Sequence, residues 1–275
     1  MDELYVIARR VLLDALEALG DHRKATILVG AQAIYLHTGA AELGVAEYTT
    51  DADLVLDPAL LGEIPPLEQA LEGAGFYGST STIGIWKTRR QTSEALDIDV
   101  RVDILMPATV SSGSGRRAAR LTGHGVHAAR KVDGLEGVLV DQAEHDIASL
   151  EPEVDGRVVR AKVAGPGALL VAKLFKIHER RGSARANDKD ALDVLRVLQA
   201  IPVGDLGRRL RAILVDPRSA AAGSRALELF DDLFANRGSK GAVMAARATQ
   251  PIMDADQVRL TCEVLAADLR AELGR

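Results

Sequence analysis

The run Thr49-Thr50-Asp51-Ala52-Asp53, opening into the apolar Leu54-Val55-Leu56, constrains this chain more than any other stretch. It sets two carboxylates two residues apart at the mouth of a strand. Side chains alternate across a strand, so both point to one face, their Cα atoms about 6.6 Å apart. At that spacing both can ligate one hard cation, or share a pair of cations about 3.5–4 Å apart. A second run, Asp97-Ile98-Asp99-Val100-Arg101-Val102-Asp103-Ile104-Leu105, is charged at every second residue up to Asp103. One of its faces is therefore polar and the other buried. Two strands delivering carboxylates to one end of a sheet suggest a divalent-metal site for phosphate chemistry. Asp51 and Asp53 are its first ligands. Asp103, flanked by Val102 and Ile104, is the expected third, with Asp99 second choice and Arg101 expected to pair with Asp99 or Asp103. The plainer alternative is a set of solvated acids guarding a strand edge.

Bulk properties narrow the class. With 275 residues, 47% of them hydrophobic, the chain can bury one large core or two small ones. A net charge of −5 argues against coating nucleic acid through an overall basic surface, while leaving room for a local basic groove. Cys262 is the single cysteine, so neither an internal disulfide nor a cysteine-rich zinc site is available. His124 and His127 lie three apart but lack two further ligands at metal-binding spacing. Asp2 and Glu3 lead into an amphipathic pattern, and no apolar run approaches the ~20 residues that cross a bilayer. The expectation is a cytoplasmic protein with no membrane partner.

Periodicity then divides the chain. Leu4, Ile7, Val11, Leu12 and Leu16 recur at helical spacing from Glu3 to about Leu19, with Gly20 as the stop. Ala25–Val29 reads as a buried strand ending at Gly30, and helical composition follows from Ala31 to His37. A strand from Asp53 to Asp57, a helix over Leu67–Leu71, and adjacent strands over Ile83–Lys87 and Asp99–Leu105 come next. Ser111-Ser112-Gly113-Ser114-Gly115 reads as flexible and leads into a basic segment, Arg116 to Lys131. Short β-like runs cover Val138–Val140 and Val158–Val163. From Gly165-Pro166-Gly167 onward the pattern is helical: 168–180, 189–200, 206–214, 219–234 and 254–273. Strands first and helices afterwards predict an α+β fold, a mixed sheet with flanking helices over 1–165, followed by a C-terminal helical bundle over 166–275.

Two further constellations could bear chemistry. In Ile27-Leu28-Val29-Gly30-Ala31-Gln32, a glycine closes a strand where a helix begins, which allows backbone N–H groups to approach a phosphate. Taken alone, an ordinary strand-to-helix turn explains it as well. In the helix from Ala168 to Arg180, Lys173, Lys176 and Arg180 share one face. Lys173 sits mid-run between Ala172 and Leu174 and is drawn inward, while the others could be plain solvated surface. Asn187-Asp188-Lys189-Asp190-Ala191-Leu192-Asp193 reads as a helix start with Asp188 as its N-cap.

Val29-Gly30-Ala31-Gln32-Ala33-Ile34-Tyr35-Leu36-His37, Thr49–Leu54, Val102-Asp103-Ile104-Leu105, Lys173-Leu174 and Lys189-Asp190-Ala191-Leu192-Asp193 occur in one order. In this order the chain resembles nucleotidyltransferases of the DNA polymerase β superfamily. It is most similar to the AbiEii-type toxins of type IV toxin–antitoxin systems, the mycobacterial MenT group among them. The resemblance spans roughly Thr26 to Leu195. It implies a nucleotidyltransferase-like fold and phosphate binding at Gly30 and Ala31. It also implies Mg²⁺ binding at Asp51 and Asp53 with Asp103 a third ligand, and Lys173 and Asp190 supporting catalysis at the phosphates. Where relatives carry Gly-Gly or Gly-Ser in the turn this chain has Gly30-Ala31, so contact there rests on backbone N–H groups. The implied activity is transfer of an NMP from an NTP to an acceptor, foremost a tRNA 3′ end, by a toxin with a cognate antitoxin. The alternatives are a protein or antibiotic nucleotidyltransferase and a non-catalytic nucleotide-binding module. An RNA backbone would follow Arg116–Lys131 and Lys173–Arg185. With 3% aromatic residues, a structured acceptor stem suits the chain better than splayed bases.

Overall fold

The computed structural model describes residues 2–39, 46–79, 81–111, 117–182 and 187–275. The expectations for Ser112–Gly115, Arg116 and Arg185 lie outside them. The described residues fall into two compact units. The first draws on Met1–Ala33, Glu47–Val132 and Gln142–Ala164, the second on Ile34–Ala46, Asp133–Asp141 and Gly165–Arg275.

The first unit is built on a mixed sheet. Its strands are β1 (Thr26–Val29), β2 (Asp51–Leu56), β3 (Tyr77–Ser79), β4 (Thr82–Gln91), β5 (Asp97–Pro107), β6 (Arg130–Val132), β7 (Gln142–Ala148) and β8 (Val158–Ala164). They run in the order β3-β4-β5-β2-β1-β8-β7, with β6 alongside β5. The pairs β2–β5, β1–β8 and β5–β6 are parallel, whereas β1–β2, β3–β4, β4–β5 and β7–β8 are antiparallel. Helix α1 (Glu3–Ala18) starts at Asp2, whose side chain accepts from the backbone N–H groups of Leu4 and Tyr5. It lies on β5, β2 and β8 with Val11, Leu12, Leu13 and Leu16 fully buried. Each such side chain contributes roughly 1.5–3 kcal/mol of burial. The same alternation that buries Val100, Val102 and Ile104 leaves Asp99, Arg101 and Asp103 on the opposite face of β5.

The second unit is helical: α4 (Pro166–Glu179), α5 (Asp188–Ala200), α6 (Val203–Val215), α7 (Ala220–Phe234), α8 (Lys240–Thr249) and α9 (Ala255–Glu272). Helix α4 packs on α5, α6 and α7, and α8 on α5 and α9. Gly165 has no room for a side chain because the Asp141 carboxylate occupies that space. Asp141 Oδ2 accepts from the Ala168 N–H at 3.0 Å, so a buried acid stands at the positive end of α4. Helix α2 (Gly30–Thr38) and α3 (Leu67–Gly73) complete the chain's longer helices among the described residues.

The chain forms an α+β fold, a mixed sheet with helices and a helical C-terminal portion. Three details depart from the sequence reading. Val138–Val140, expected as a strand, belongs to a buried 3₁₀ turn at Glu136–Leu139, because a short apolar run identifies burial without fixing backbone geometry. Strand β7 went unexpected, since an edge strand that is mostly solvent-facing shows no apolar alternation. Helix α8, rich in alanine, carries too few large apolar residues to announce its period. No helix among the described residues is long and apolar enough to cross a membrane.

Candidate active site

The carboxylates converge by register. In the parallel pair β2–β5, Asp53 stands opposite Asp103 and Asp51 opposite Arg101. Adjacent strands lie about 4.8 Å apart, so Asp51, Asp53 and Asp103 share two neighbouring rungs of one sheet face. Arg101 pairs with Asp51 at 3.5 Å, rather than with Asp99 or Asp103 as the sequence suggested. Its neighbour Asp99 is taken by Tyr77, Lys87 and Arg89 across the antiparallel β3 and β4. Asp51 is further oriented by the Thr49 hydroxyl, which donates to Oδ1 at 2.7 Å.

Gly30 completes this end of the sheet. Its φ of +74° is one that side-chain-bearing residues rarely adopt, and the Asp53 carboxylate sits where a Gly30 Cβ would project. The first turn of α2 therefore abuts the metal-ligand candidate directly. Ala31 is 9% exposed and Gln32 is buried, its amide donating to the carbonyls of Ala8 and Asp51. Gln32 thus ties the backbone of Asp51 to helix α1.

Asp103 is the most perturbed acid here. Burial pushes its carboxyl up, and Asp53 adds to this, while Arg130 and Arg101 pull it back; the outcome is about 7. Arg130 donates from Nη2 to Oδ2 at 2.7 Å. The other oxygen, Oδ1, is shielded from solvent and has no hydrogen-bond donor. Among the described residues no three His, Cys, Asp or Glu side chains close into a metal cage. The donors nonetheless suit a hard cation, being all carboxylate. Magnesium characteristically takes one or two carboxylates and completes its shell with water and substrate phosphates, so an open arrangement fits it better than a cage.

Lys173 and Asp190 belong to the second unit, in a different cluster. Lys173 Nζ donates to Asp190 Oδ1 at 2.9 Å and Asp193 Oδ2 at 2.6 Å, with all three residues buried. Lys176 and Arg180 approach Asp190 from the outside, at 3.5 and 3.1 Å. Burial opposes the Lys173 charge, but Asp193 and Asp190 outweigh it and move its pKa upward. Burial likewise opposes the Asp190 charge, yet Lys173 and Lys176 hold its carboxyl down at about 2. The N-cap of α5 is Asn187, which accepts from the Lys189 N–H, and Asp188 pairs instead with Arg247. Asp188 reads as a cap from sequence because either residue type can do that work.

Sequence reasoning passed over Arg130 as one member of a basic segment, and placed Asp193 in the helix-start motif without giving it a role. Gly84, an isolated glycine within a strand, was the available signal for Arg130, since such glycines mark close backbone approach.

No family model matches the chain, and no curated protein matches it. Among solved structures, it is similar to an antigenic nucleotidyltransferase-like protein from Paracoccidioides brasiliensis. The alignment has a TM-score of 0.43 and 16% identity, over 84% of this chain and 88% of that chain. A likeness this loose does not bear on the chain's chemistry, which rests on its own residues.

Proposed function

We propose that the chain is a Mg²⁺-dependent nucleotidyltransferase. The observation that supports this best is the pairing of Asp53 with Asp103 across parallel strands, against a glycine-led helix turn at Gly30. Asp51, Asp53 and Asp103 would hold the cation, and the backbone at Gly30 and Ala31 would meet nucleotide phosphate. When bound, the cation would offset negative charge on the phosphates and bring them toward the carboxylates. The acceptor hydroxyl oxygen bonds to the α-phosphorus as the bond to the bridging oxygen breaks. Pyrophosphate leaves, and the hydroxyl proton passes to a carboxylate or to water. Gln32 and Thr49 keep the acids in place during this exchange.

In this reading Lys173 and Asp190 support catalysis by holding α4 against α5. Lys176 and Arg180, each about one-third exposed on their side chains, are the cluster's groups that can meet a phosphate from solvent. The acceptor we favour is a tRNA 3′ end, and the biological role that of a toxin with a cognate antitoxin. The grounds are the ordered motifs of the sequence. A protein or antibiotic acceptor is the alternative on the same chemistry.

The test is incubation of the purified protein with each labelled NTP, Mg²⁺ and either total tRNA or no acceptor. Label should enter RNA, and Asp53→Ala should reduce transfer by about 100-fold or more, the scale of losing a main charge-stabilising group. An Asp53→Ala protein as active as the parent would refute the proposal. Label in protein instead of RNA would move the acceptor assignment.

A further inference from the structure

Arg130 is a half-buried cation held in the sheet. It stands on the three-residue strand β6, opposite Leu105 of β5, with Ala118 bridged to it on its other side. Backbone bonds from Ala119 N–H to the Ala129 carbonyl (3.1 Å) and from Lys131 N–H to the Arg117 carbonyl (2.8 Å) flank it. Room for this strand comes from Gly84. The antiparallel β4 keeps pace with β5 as far as Ile85 opposite Asp103, and β6 takes up the pairing from Leu105. Gly84 lies at that handover with φ of +67°, and a Cβ there would meet Ile104 O of β5 at 2.5 Å, Arg130 N at 2.6 Å and Arg130 Cβ at 2.9 Å. The missing side chain is what lets Arg130 reach the strand that bears Asp103.

Its guanidinium ties down only half of the carboxylate. Nη2 holds Oδ2 at 2.7 Å, while Arg130 Nε and Asp103 Oδ1 are both shielded from water and without hydrogen-bond partners. A guanidinium free to choose would pair both oxygens side by side, the stronger arrangement. Here it holds one oxygen and leaves the second, buried, without a donor. A buried carboxylate oxygen without a donor carries a desolvation cost that a ligand at that oxygen would recover.

We infer that Arg130 is a positioning residue, holding Asp103 by Oδ2 so that Oδ1, without a donor of its own, is kept for the cation. This deepens the nucleotidyltransferase reading and rests on it. Arg130 touches neither nucleotide nor acceptor; it acts through Asp103. Two consequences separate positioning from mere charge. As a nearby cation, Arg130 repels a metal, so its removal would tighten metal binding if charge were its whole effect. As a positioning group, its removal loosens the ligand and weakens binding.

The experiment measures Mn²⁺ binding to the full chain without nucleotide, by electron paramagnetic resonance, alongside KM and kcat for NTP. Thermal unfolding accompanies each variant. Arg130→Ala should weaken Mn²⁺ binding about tenfold and lower kcat at nearly constant KM. Arg130→Lys, keeping a charge but not the fork, should recover part of the loss. In an Asp103→Asn background, Arg130→Ala should change neither quantity further. Arg130→Met, which keeps the packing of the stem and removes the guanidinium, should reproduce the Mn²⁺ defect and serves if Arg130→Ala does not fold. Unchanged or tighter Mn²⁺ binding by the folded variants overturns the inference alone. Wild-type protein that binds no Mn²⁺, or binds it equally as Asp53→Ala, overturns the metal reading and the inference with it.

Discussion

Asp103 and Asp190 are both shielded aspartates facing cationic neighbours, yet their protons behave oppositely. Asp190 receives Lys173, Lys176 and Arg180, and its carboxyl falls to about 2. Asp103 faces Arg130 on one oxygen but has Asp53 on the neighbouring strand, and its carboxyl rises to about 7. In the second unit's cluster each acid has a cation at hand: Asp190 and Asp193 surround the buried Lys173 ammonium, and Lys176 and Arg180 reach Asp190 from outside. In the first unit, Asp51, Asp53 and Asp103 lie on adjacent rungs, with Arg101 beside Asp51 and Arg130 beside Asp103. Acids that outnumber their cationic neighbours on one sheet face are suited to a cation, whereas a buried lysine already shared by two acids is suited to holding helices together.

The comparison breaks most sharply at Lys173. Replacing it with alanine strands Asp190 and Asp193 in the interior, and denaturant unfolding should reveal a loss of about 3–5 kcal/mol. Nucleotide transfer by whatever stays folded should fall far less than in Asp53→Ala. A Lys173→Ala protein of parental stability that cannot transfer nucleotide would reverse the roles assigned to the two clusters.

Acid titration separates them next. The folded Asp190 carboxyl is depressed, so its contribution is complete above about pH 4, the unfolded value, and is lost as pH falls through about 2. The folded Asp103 carboxyl is raised, so without metal the native state holds an extra proton between about pH 4 and its own value of about 7. Its contribution is therefore present below pH 4 and declines as pH climbs through 7. Unfolding measured with chelator across pH should lose the upper slope in Asp103→Asn and the lower slope in Asp190→Asn, each bounded by about 1.4 kcal/mol per pH unit for one proton. Slopes that survive these substitutions would show that other groups set them.

Gly30→Ala sharpens the first cluster from its backbone side. The left-handed conformation penalises alanine by about 1–2 kcal/mol, and the new methyl displaces the Asp53 carboxylate. Calorimetry should record the modest loss of stability, and transfer should drop at least tenfold. Activity retained with the expected destabilisation would detach the turn from the site. The smallest effect belongs to the exposed cap: Asn187→Ala should cost about 1 kcal/mol in unfolding experiments while leaving transfer intact.

The two clusters were unequally legible in the sequence. Asp51, Asp53 and Asp103 could be read because a strand has a period of two, and each acid occupies the polar phase of a run whose other phase is apolar. That Asp53 meets Asp103 depends on pairing between strands some fifty residues apart, and the pairing has no local mark. Arg130 was hidden for the same reason: its reach to Asp103 is created by Gly84, far away in the chain. In the second cluster the helical period put Lys173 inward correctly, but its partners were ambiguous. Asp188, Asp190 and Asp193 look alike in a helix start, and only packing decides that the first meets Arg247 while the others turn to the lysine. Strands such as β7, whose side chains mostly face water, left no pattern to find.

The parallel match of β2 to β5 has an implication for how such a protein can change over time. Sliding β2 by a single residue would turn Asp51 and Asp53 toward the oily side and Leu54 and Leu56 away from it. Any mutation that loosened the alignment would thus forfeit foldability and chemistry at one stroke. Lineages can therefore reshape loops and outer helices freely, yet they inherit this pair of threads as an indivisible unit.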